Sequence, residues 1–287
     1  MQIRKTFIAF LVVMLFVLRN AMAQSVGGSS LPPMKPIEKT VYDSASVKVY
    51  YEYSYRPDSM SSARIDGQTV LLVGEKAQGF ADYYDLRMDF LNDSIYQAHG
   101  SAMECFTSSI SLNRSKAYRY PVVIDYNRNL AIVQANGVNV YQYTQPVPKI
   151  DWQLVEADTT ICNVPCKKAM CRFGGRDWTA WYSPQFGLGA GPYLFGGLPG
   201  LIFAVYDSKD NYRFTLNGLE NLKVLEPIYL KNIRNTVHSS REKVRKALAN
   251  EFEDIYKAFE MKAPGTVFES RNSADSGKRP YNPIELQ

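Results

Sequence analysis

The chain has two histidines, His99 and His238, and only these could act as an imidazole general base. A serine hydrolase needs a nucleophile, a base and a group that orients the base. Neither histidine lies in a recognisable motif, and the sequence contains no G-x-S-x-G nucleophile motif. A capping or solvated role is the simpler interpretation of His238, which precedes a predicted helix. The residues therefore predict no catalytic site, and an unrecognised hydrolase stays an alternative.

Four cysteines could form disulfides or bind a metal: Cys105, Cys162, Cys166 and Cys171. An even count permits two disulfides in an oxidising compartment. We expect one bridge from Cys105 to the cluster formed by the other three. Zinc is disfavoured because the cluster spacing is C-x3-C-x4-C with no histidine nearby. The sequence predicts no metal and no cofactor.

One segment combines glycine, proline and large apolar residues: Gly191-Pro192-Tyr193-Leu194-Phe195-Gly196-Gly197-Leu198-Pro199-Gly200-Leu201-Ile202. Successive backbone N–H groups in such a run can cradle an anion. The run lacks the Gly-Lys-Ser/Thr ending of a phosphate loop, and a flexible linker would be polar. We therefore predict a turn with a defined backbone conformation that leads into a strand, and we expect Leu198, Leu201 and Ile202 to be buried.

Three residues that precede this run in the sequence are candidates for ligand binding: Arg176, Trp181 and Tyr182. A buried arginine needs a carboxylate partner, and Asp177 or Asp207 could supply it. A core ion pair is the simpler alternative to a ligand site.

The elements that would position these residues are mainly strands. Apolar and polar residues alternate from 46 to 55, which predicts a strand, and Asp66-Gly67 resembles a hairpin turn before a strand over 68–76. Short strands with tight turns continue to residue 216 and favour antiparallel pairing. The predicted fold class is α+β, mainly β: an antiparallel curved sheet or open half-barrel with packed helices.

Two helices are predicted. The first covers about 82–99 and is closed by Gly100; the second begins at a Ser239 cap, with Glu242 in capping-box spacing. The second helix has one apolar stripe, formed by Val244, Leu248, Phe252, Ile255 and Phe259. Packing on the sheet is favoured over a membrane-surface role because acids and bases are mixed on its polar face.

The first 23 residues have the pattern of a secretory signal peptide. Arg4 and Lys5 precede an apolar run of about 13 residues, too short for a span of about 20, and Ala21-Met22-Ala23 fits a cleavage site. An uncleaved anchor is the alternative. Cleavage would remove three basic residues and lower the net charge from +5 to +2, which leaves nothing that favours nucleic acid.

The rest of the chain is long enough for one domain with a real core. We predict a flexible leader over 24–36, a single β-rich domain over 37–262, and a poorly ordered tail over 263–287. No later segment is apolar enough to cross a membrane.

The run Gly197-Leu198-Pro199-Gly200-Leu201-Ile202 resembles the motif that names the GLPGLI family, also called Porph_ging, of Gram-negative bacterial envelopes. Further segments stand in that family's usual order, among them Phe173-Gly174-Gly175-Arg176, Ala180-Trp181-Tyr182-Ser183 and the closing Tyr281-Asn282-Pro283-Ile284-Glu285-Leu286. The resemblance implies an exported protein of the periplasm, outer membrane or medium, and it implies no established reaction.

The aromatic content suggests what the domain could do: 20 tyrosines, 14 phenylalanines and three tryptophans. A curved aromatic sheet with a helix laid on it can enclose an apolar cavity for a lipid or peptide. The leading hypothesis is therefore a non-catalytic binding or carrier module. The alternative is a structural protein of the envelope that engages a membrane partner.

Overall fold

A computed structural model describes residues 34–265 and 276–287. The predicted signal peptide and most of the predicted leader lie outside these residues. In the described chain, twelve strands form one sheet in the order β12-β6-β5-β4-β3-β2-β1-β11-β10-β9-β8-β7. The strands are β1 Lys39–Tyr55, β2 Ile65–Gly74, β3 Ala77–Asp82, β4 Val122–Asp125, β5 Leu130–Asn136, β6 Val140–Pro146, β7 Gln153–Ile161, β8 Val164–Phe173, β9 Arg176–Ser183, β10 Leu201–Asp207, β11 Tyr212–Lys231 and β12 Val237–His238.

The predicted fold class is confirmed: the protein is mainly β, with one large open sheet and four helices in the described residues. Every strand pair is antiparallel except β12 with β6, as the short turns between strands predict. The helices are α1 Tyr83–Gln97, α2 Ala102–Ser115, α3 Arg241–Glu253 and α4 Ile255–Lys262. None of them is both long and apolar enough to cross a membrane.

The inner face of the sheet carries the larger hydrophobic core. Tyr51, Phe80 and Phe214 are 0–2% exposed, and their rings meet those of neighbouring strands edge to face or stacked. The glycine- and proline-rich run, α3 and the end of the chain add further side chains to this core. Aromatic side chains thus fill the face on which the sequence predicted a ligand cavity.

The outer face carries a smaller core, because the far end of β11 folds back over the sheet. Ile228 lies against Gly79 of β3, where a Cβ atom would come within 2.9 Å of its side chain. The carbonyl of Lys231 accepts a hydrogen bond from Gln134 of β5 at 2.8 Å. Shifts in the pairing register between β1 and β11 accompany this bend.

Asp66-Gly67 does not form the predicted hairpin turn, because both residues lie inside β2, opposite Ser54 and Tyr53. A Cβ atom at Gly67 would come within 2.4 Å of the Ala117 side chain. The glycine therefore serves a close packing contact and not a turn.

The first predicted helix is present as α1, capped by Asp82, whose side chain accepts from the Tyr84 and Asp85 amides. Gly100 is not the left-handed residue that ends it. His99 takes that conformation with φ 57°, and the Gly100 amide donates to Ile95, which is a Schellman motif. Helix α2 was not predicted; none of its residues is fully buried.

The predicted C-terminal helix divides at Asp254 into α3 and α4. Ser240 caps α3 by accepting from the Lys243 amide, so the predicted Ser239 cap is wrong by one residue. Val244 and Leu248 of the apolar stripe are buried against the sheet core.

Candidate functional site

The glycine- and proline-rich run is a buried turn on the inner face. Leu198, Leu201 and Ile202 are 3%, 0% and 0% exposed, as predicted. The ring centroid of Phe195 lies 4.6 Å from that of Trp178 on β9. The run therefore covers strands β8 to β10 and completes their core.

Five backbone N–H groups of this run donate to carbonyls within the protein, which disfavours an anion cradle. The amides of Gly197, Gly200 and Ile202 donate to carbonyls at 3.1, 2.8 and 3.0 Å. Gly200 has φ 152°, and a Cβ atom there would lie 2.1 Å from the Ser183 carbonyl oxygen. The turn is thus shaped for close backbone packing.

Arg176 forms a buried ion pair with Asp207, at 3.1 Å between Nη1 and Oδ2; the two side chains are 4% and 2% exposed. The other predicted partner, Asp177, pairs instead with Arg172 at the surface. Asn211 and the Tyr212 amide also donate to Asp207. The core ion pair interpretation therefore holds for Asp207.

The other two candidates do not share a site with Arg176. Trp181 projects from the opposite face of β9 because five residues separate it from Arg176 and strand side chains alternate. Its indole donates to the Tyr206 hydroxyl, and Lys168 lies over its ring. Tyr182 is on the inner face and 3% exposed, within the core.

Arg176 binds the end of the chain, which the sequence assigned to a poorly ordered tail. Nε donates to the Ile284 carbonyl at 3.0 Å, and Nη2 donates to the Pro283 carbonyl at 2.6 Å. Ile284 and Glu285 are only 3% and 5% exposed. For residues 276–287 the prediction of a poorly ordered tail is therefore wrong, because this segment supplies partners to a buried cation.

We call residues 281–287 the C-terminal segment. Besides Arg176, Tyr212 holds its backbone: the hydroxyl donates to the Asn282 carbonyl at 2.5 Å. The Leu286 amide donates to the Gly174 carbonyl at 2.6 Å. These contacts fix the segment across the ends of β8, β9 and β11, with a bend at Ile284.

The carboxylate of Glu285 is buried between two polar side chains. The Tyr193 hydroxyl donates to Oε1, and Arg241 of α3 donates to Oε2. Burial, together with the nearby Tyr143 and Glu285, raises the pKa of Tyr193 well above its usual range, so the phenol stays protonated and donates. Burial alone would lower the pKa of Arg241, but Glu285 outweighs it and raises that pKa.

A groove of about 390 Å³ opens to solvent between α3 and the C-terminal segment. We call it the C-terminal groove. It is lined by Glu242, Arg245, Lys246, Ala249, Tyr281, Pro283 and Leu286. Apolar groups come mainly from the C-terminal segment, and α3 contributes two cations and one acid, so the groove has a net positive charge and matches a ligand with an apolar body and a negative charge.

Two smaller spaces lie within the cores. Each holds about 20 Å³, one beneath the C-terminal segment and one on the outer face near Leu86. A single water needs about 10–15 Å³ on this measure. Neither space has room for a lipid.

All four cysteines are free thiols, so the predicted bridge from Cys105 is wrong. Cys105 lies on α2, beside α1, which packs on β2, whereas Cys166 and Cys171 lie on β8, five strand spacings or roughly 24 Å along the sheet. A disulfide needs Cα atoms within about 7 Å. Burial raises the pKa of Cys166 to about 11 and of Cys171 to about 12, so neither is a ready nucleophile.

The two histidines lie on separate elements and are exposed. His99 ends α1, and His238 lies on β12, paired with Gln142 of β6. Within residues 34–265 and 276–287, no group of three His, Cys, Asp or Glu side chains could hold a metal ion.

The residues that matter most for the site were not identified as site residues from the sequence: Tyr193, Tyr212, Arg241, Asn282 and Glu285. Their partners are distant in sequence, with Tyr193 and Glu285 92 positions apart. One signal was available, because the apolar, proline-containing order of residues 281–286 is unusual for a loose tail.

No family model and no curated protein sequence matches the chain. Two solved structures of PNGF-II, in different crystal forms, align with TM-scores of 0.46 and 0.45 and identities of 10% and 11%. The alignments cover 71% and 70% of this chain but 33% and 32% of those chains. The chain thus spans about a third of the length of these structures. What it binds has to follow from its own contacts.

Proposed function

We propose that the protein is an exported, non-catalytic binding module of the bacterial envelope that holds an apolar ligand or a peptide in the C-terminal groove. The observation that carries the proposal is the groove's volume of about 390 Å³, within the range of about 300–1,000 Å³ for small-molecule sites. Export and envelope location are supported by the signal-like first 23 residues and by the resemblance to the GLPGLI family.

The lining of the groove favours an amphiphilic, negatively charged ligand. Leu286 is 50% exposed on one wall, beside Tyr281 and Pro283. Arg245 and Lys246 stand on the α3 wall. An apolar body can cover Leu286 while an acid faces the two cations. The ligand therefore lies at the surface and not inside the sheet.

Binding can be measured on delipidated protein by native mass spectrometry with three probes: a fatty acid, an acidic peptide and an apolar dye. Leu286→Asp places a charge on the apolar wall, and Arg245→Glu reverses a cation. Each variant should weaken binding at least tenfold, which corresponds to about 1.4 kcal/mol.

Val224→Asp is the matched control, because Val224 is 79% exposed on β11 and does not line the groove. It should bind the probes as the unaltered protein does. Failure of all three probes to bind, or equal binding by Leu286→Asp and the control, would contradict the proposal.

A structural role that engages a membrane partner is the second candidate. It is favoured by a bulge in β11 where Val224 and Leu225 are 79% and 58% exposed. Adjacent exposed apolar residues of this kind suit a protein contact. A photo-crosslinker at Val224 in intact cells should give one discrete protein adduct if this role is correct, and none if the groove is the only binding site.

A hydrolase is the third candidate. Activity profiling of the unaltered protein beside His99→Ala and His238→Ala tests it, since loss of labelling in either variant would establish a catalytic histidine.

A further inference from the structure

We propose that the C-terminal segment occupies a peptide-binding site as an intramolecular ligand, and that this site takes peptides with proline, an apolar residue and an acidic residue in that order. The inference rests on the proposed function and names the ligand class of the same region. The binding surface would be the part of the protein that contacts the buried side of the C-terminal segment, beneath the C-terminal groove.

The protein holds the segment through its backbone and through the Asn282 side chain, which accepts from Arg176 and donates to Arg56 and Asn211. Arg176 donates to the carbonyls of Pro283 and Ile284, and Tyr212 donates to that of Asn282. Backbone contacts of this kind do not depend on the side chains of the bound strand. They fit any peptide, and side-chain pockets must supply the specificity.

The pockets under residues 283–285 supply that specificity. Ile284 is 3% exposed within the inner core, so its pocket favours an apolar side chain. Glu285 is held by Tyr193 and Arg241, two donors that suit a carboxylate. Pro283 has no N–H to bury, and its ring fixes its own φ. The preferred order is therefore proline, apolar, acidic.

The turn between β8 and β9 is built to admit such a strand. Gly174 and Gly175 have φ of 57° and 77°. A Cβ atom at Gly174 would lie 2.7 Å from Glu285 Cγ, and one at Gly175 would lie 3.0 Å from Leu286 Cβ. Side chains at either position would push the segment away, so glycine keeps the site open to a backbone.

The emptied site would attract a replacement ligand. Arg176 is 4% exposed, and without the segment only Asp207 would remain of its strong partners. Water would reach the donors that the segment leaves, and a peptide carbonyl that replaces this water forms a charge-assisted hydrogen bond to Arg176. The site is thus prepared for a peptide whenever its own segment leaves.

The C-terminal segment is covalently joined to α4, which ends at Lys262, so it stays at a high local concentration, on the order of millimolar for a short connection. A free peptide therefore competes poorly with the attached segment. Cutting the connection should convert the protein into a receptor for peptides in solution.

The test inserts a protease site between Ser270 and Arg271 and cleaves the folded protein. A fluorescent peptide with the sequence of residues 276–287 is then added, and binding is followed by anisotropy. The cleaved protein should take up one labelled peptide per chain as the native fragment leaves. The uncut protein should bind it at least a hundredfold more weakly.

Three peptide variants define the ligand class. Ile284→Ala and Glu285→Gln should each weaken binding at least tenfold. Lys278→Ala should bind unchanged, because Lys278 is 64% exposed and pairs only with exposed Glu253. Equal binding by Glu285→Gln would overturn the stated preference for an acid.

Two further outcomes would overturn the proposal itself. Cleaved protein that stays folded but takes up no labelled peptide, even after prolonged incubation, would show that the segment is a fixed part of the core. Cleaved protein that unfolds would show the same. Either result leaves the ligand binding of the uncut protein untouched, so failure here is distinguishable from failure of the C-terminal groove.

Discussion

Single residues of the glycine- and proline-rich run have different roles. Gly200 has φ 152° and backbone atoms of Ser183 where a side chain would be, whereas Pro199 is exposed. Tyr193 takes a left-handed φ of 55° although it has a side chain, and it contacts Glu285. Gly200 therefore determines the conformation of the turn, and Tyr193 places its hydroxyl group in the site.

Gly200→Ala should lower the free energy of unfolding by about 3 kcal/mol or more, because the new methyl group meets backbone that cannot move aside. Pro199→Ala should lower it by about 1 kcal/mol or less, through the unfolded chain alone. Urea unfolding of both variants measures the difference. Equal losses would contradict the assignment of the turn to Gly200.

Arg176→Lys should destabilise the protein although it keeps the charge. A lysine can reach Asp207 but cannot form the forked contacts to two carbonyls of the C-terminal segment. We expect a loss of about 2 kcal/mol in urea unfolding. The loss should vanish when residues 276–287 are deleted from both proteins, and a loss that persists would place the role of Arg176 elsewhere.

At the scale of elements, α1 is held on the sheet by ion pairs as much as by apolar contacts. Lys231 of β11 donates to Asp85 at 2.5 Å and to Asp89 at 3.2 Å. Burial alone would raise the pKa of Asp85, but Lys231 and Lys116 outweigh it and lower that pKa. Burial raises the pKa of Asp89, with Lys231 opposing it. Adjacent carboxyls on one helix thus titrate in opposite directions.

Asp85→Asn should lower the free energy of unfolding by about 3 kcal/mol at pH 7, because a buried cation loses a partner. The pKa of Asp85 is lower in the folded than in the unfolded chain, so its stabilisation is present above about pH 4 and is lost as the pH falls further. Between about pH 5 and pH 2, the free energy of unfolding of the variant should therefore decline less steeply than that of the unaltered protein.

Asp89→Asn is the matched comparison, because the contribution of Asp89 to stability changes with pH in the opposite direction from that of Asp85. The Asp89 carboxyl has a raised pKa in the folded chain, so the folded state holds the proton more tightly and gains stability as the pH falls through that pKa. As the pH falls, the free energy of unfolding of the unaltered protein should therefore increase relative to that of Asp89→Asn. Urea midpoints from about pH 2 to pH 7 check both variants, and parallel profiles would contradict the assigned shifts.

Most elements were predictable because their signals are local. The alternation in β1 and the Asp82 cap of α1 lie within short windows. Helix α2 was missed because it is amphipathic only toward α1 and buries no residue completely. The β11 fold-back was missed because a register shift depends on the partner strand, which sequence periodicity does not contain.

For the whole molecule, the sequence predicted the open antiparallel sheet and the burial of the turn, but not the site. The site joins β9, β11, α3 and the C-terminal segment, and its contacts bridge long stretches of sequence, such as 108 positions between Arg176 and Ile284 and 226 between Asn282 and Arg56. Residues near a chain end are often poorly ordered, which is why the sequence favoured a loose tail here. Only the folded chain shows that a buried arginine needs their carbonyls.

Hydrogen exchange under native conditions tests most directly whether the C-terminal segment is a ligand or a part of the core. The Leu286 amide, which donates to the Gly174 carbonyl, reports the segment, and the Ile202 amide of β10, which donates to the Ala190 carbonyl, reports the sheet. We predict that Leu286 opens at a lower free energy than Ile202 and with a small denaturant dependence, since the segment leaves while the sheet stays folded. Exchange of both amides only through global unfolding would contradict the account.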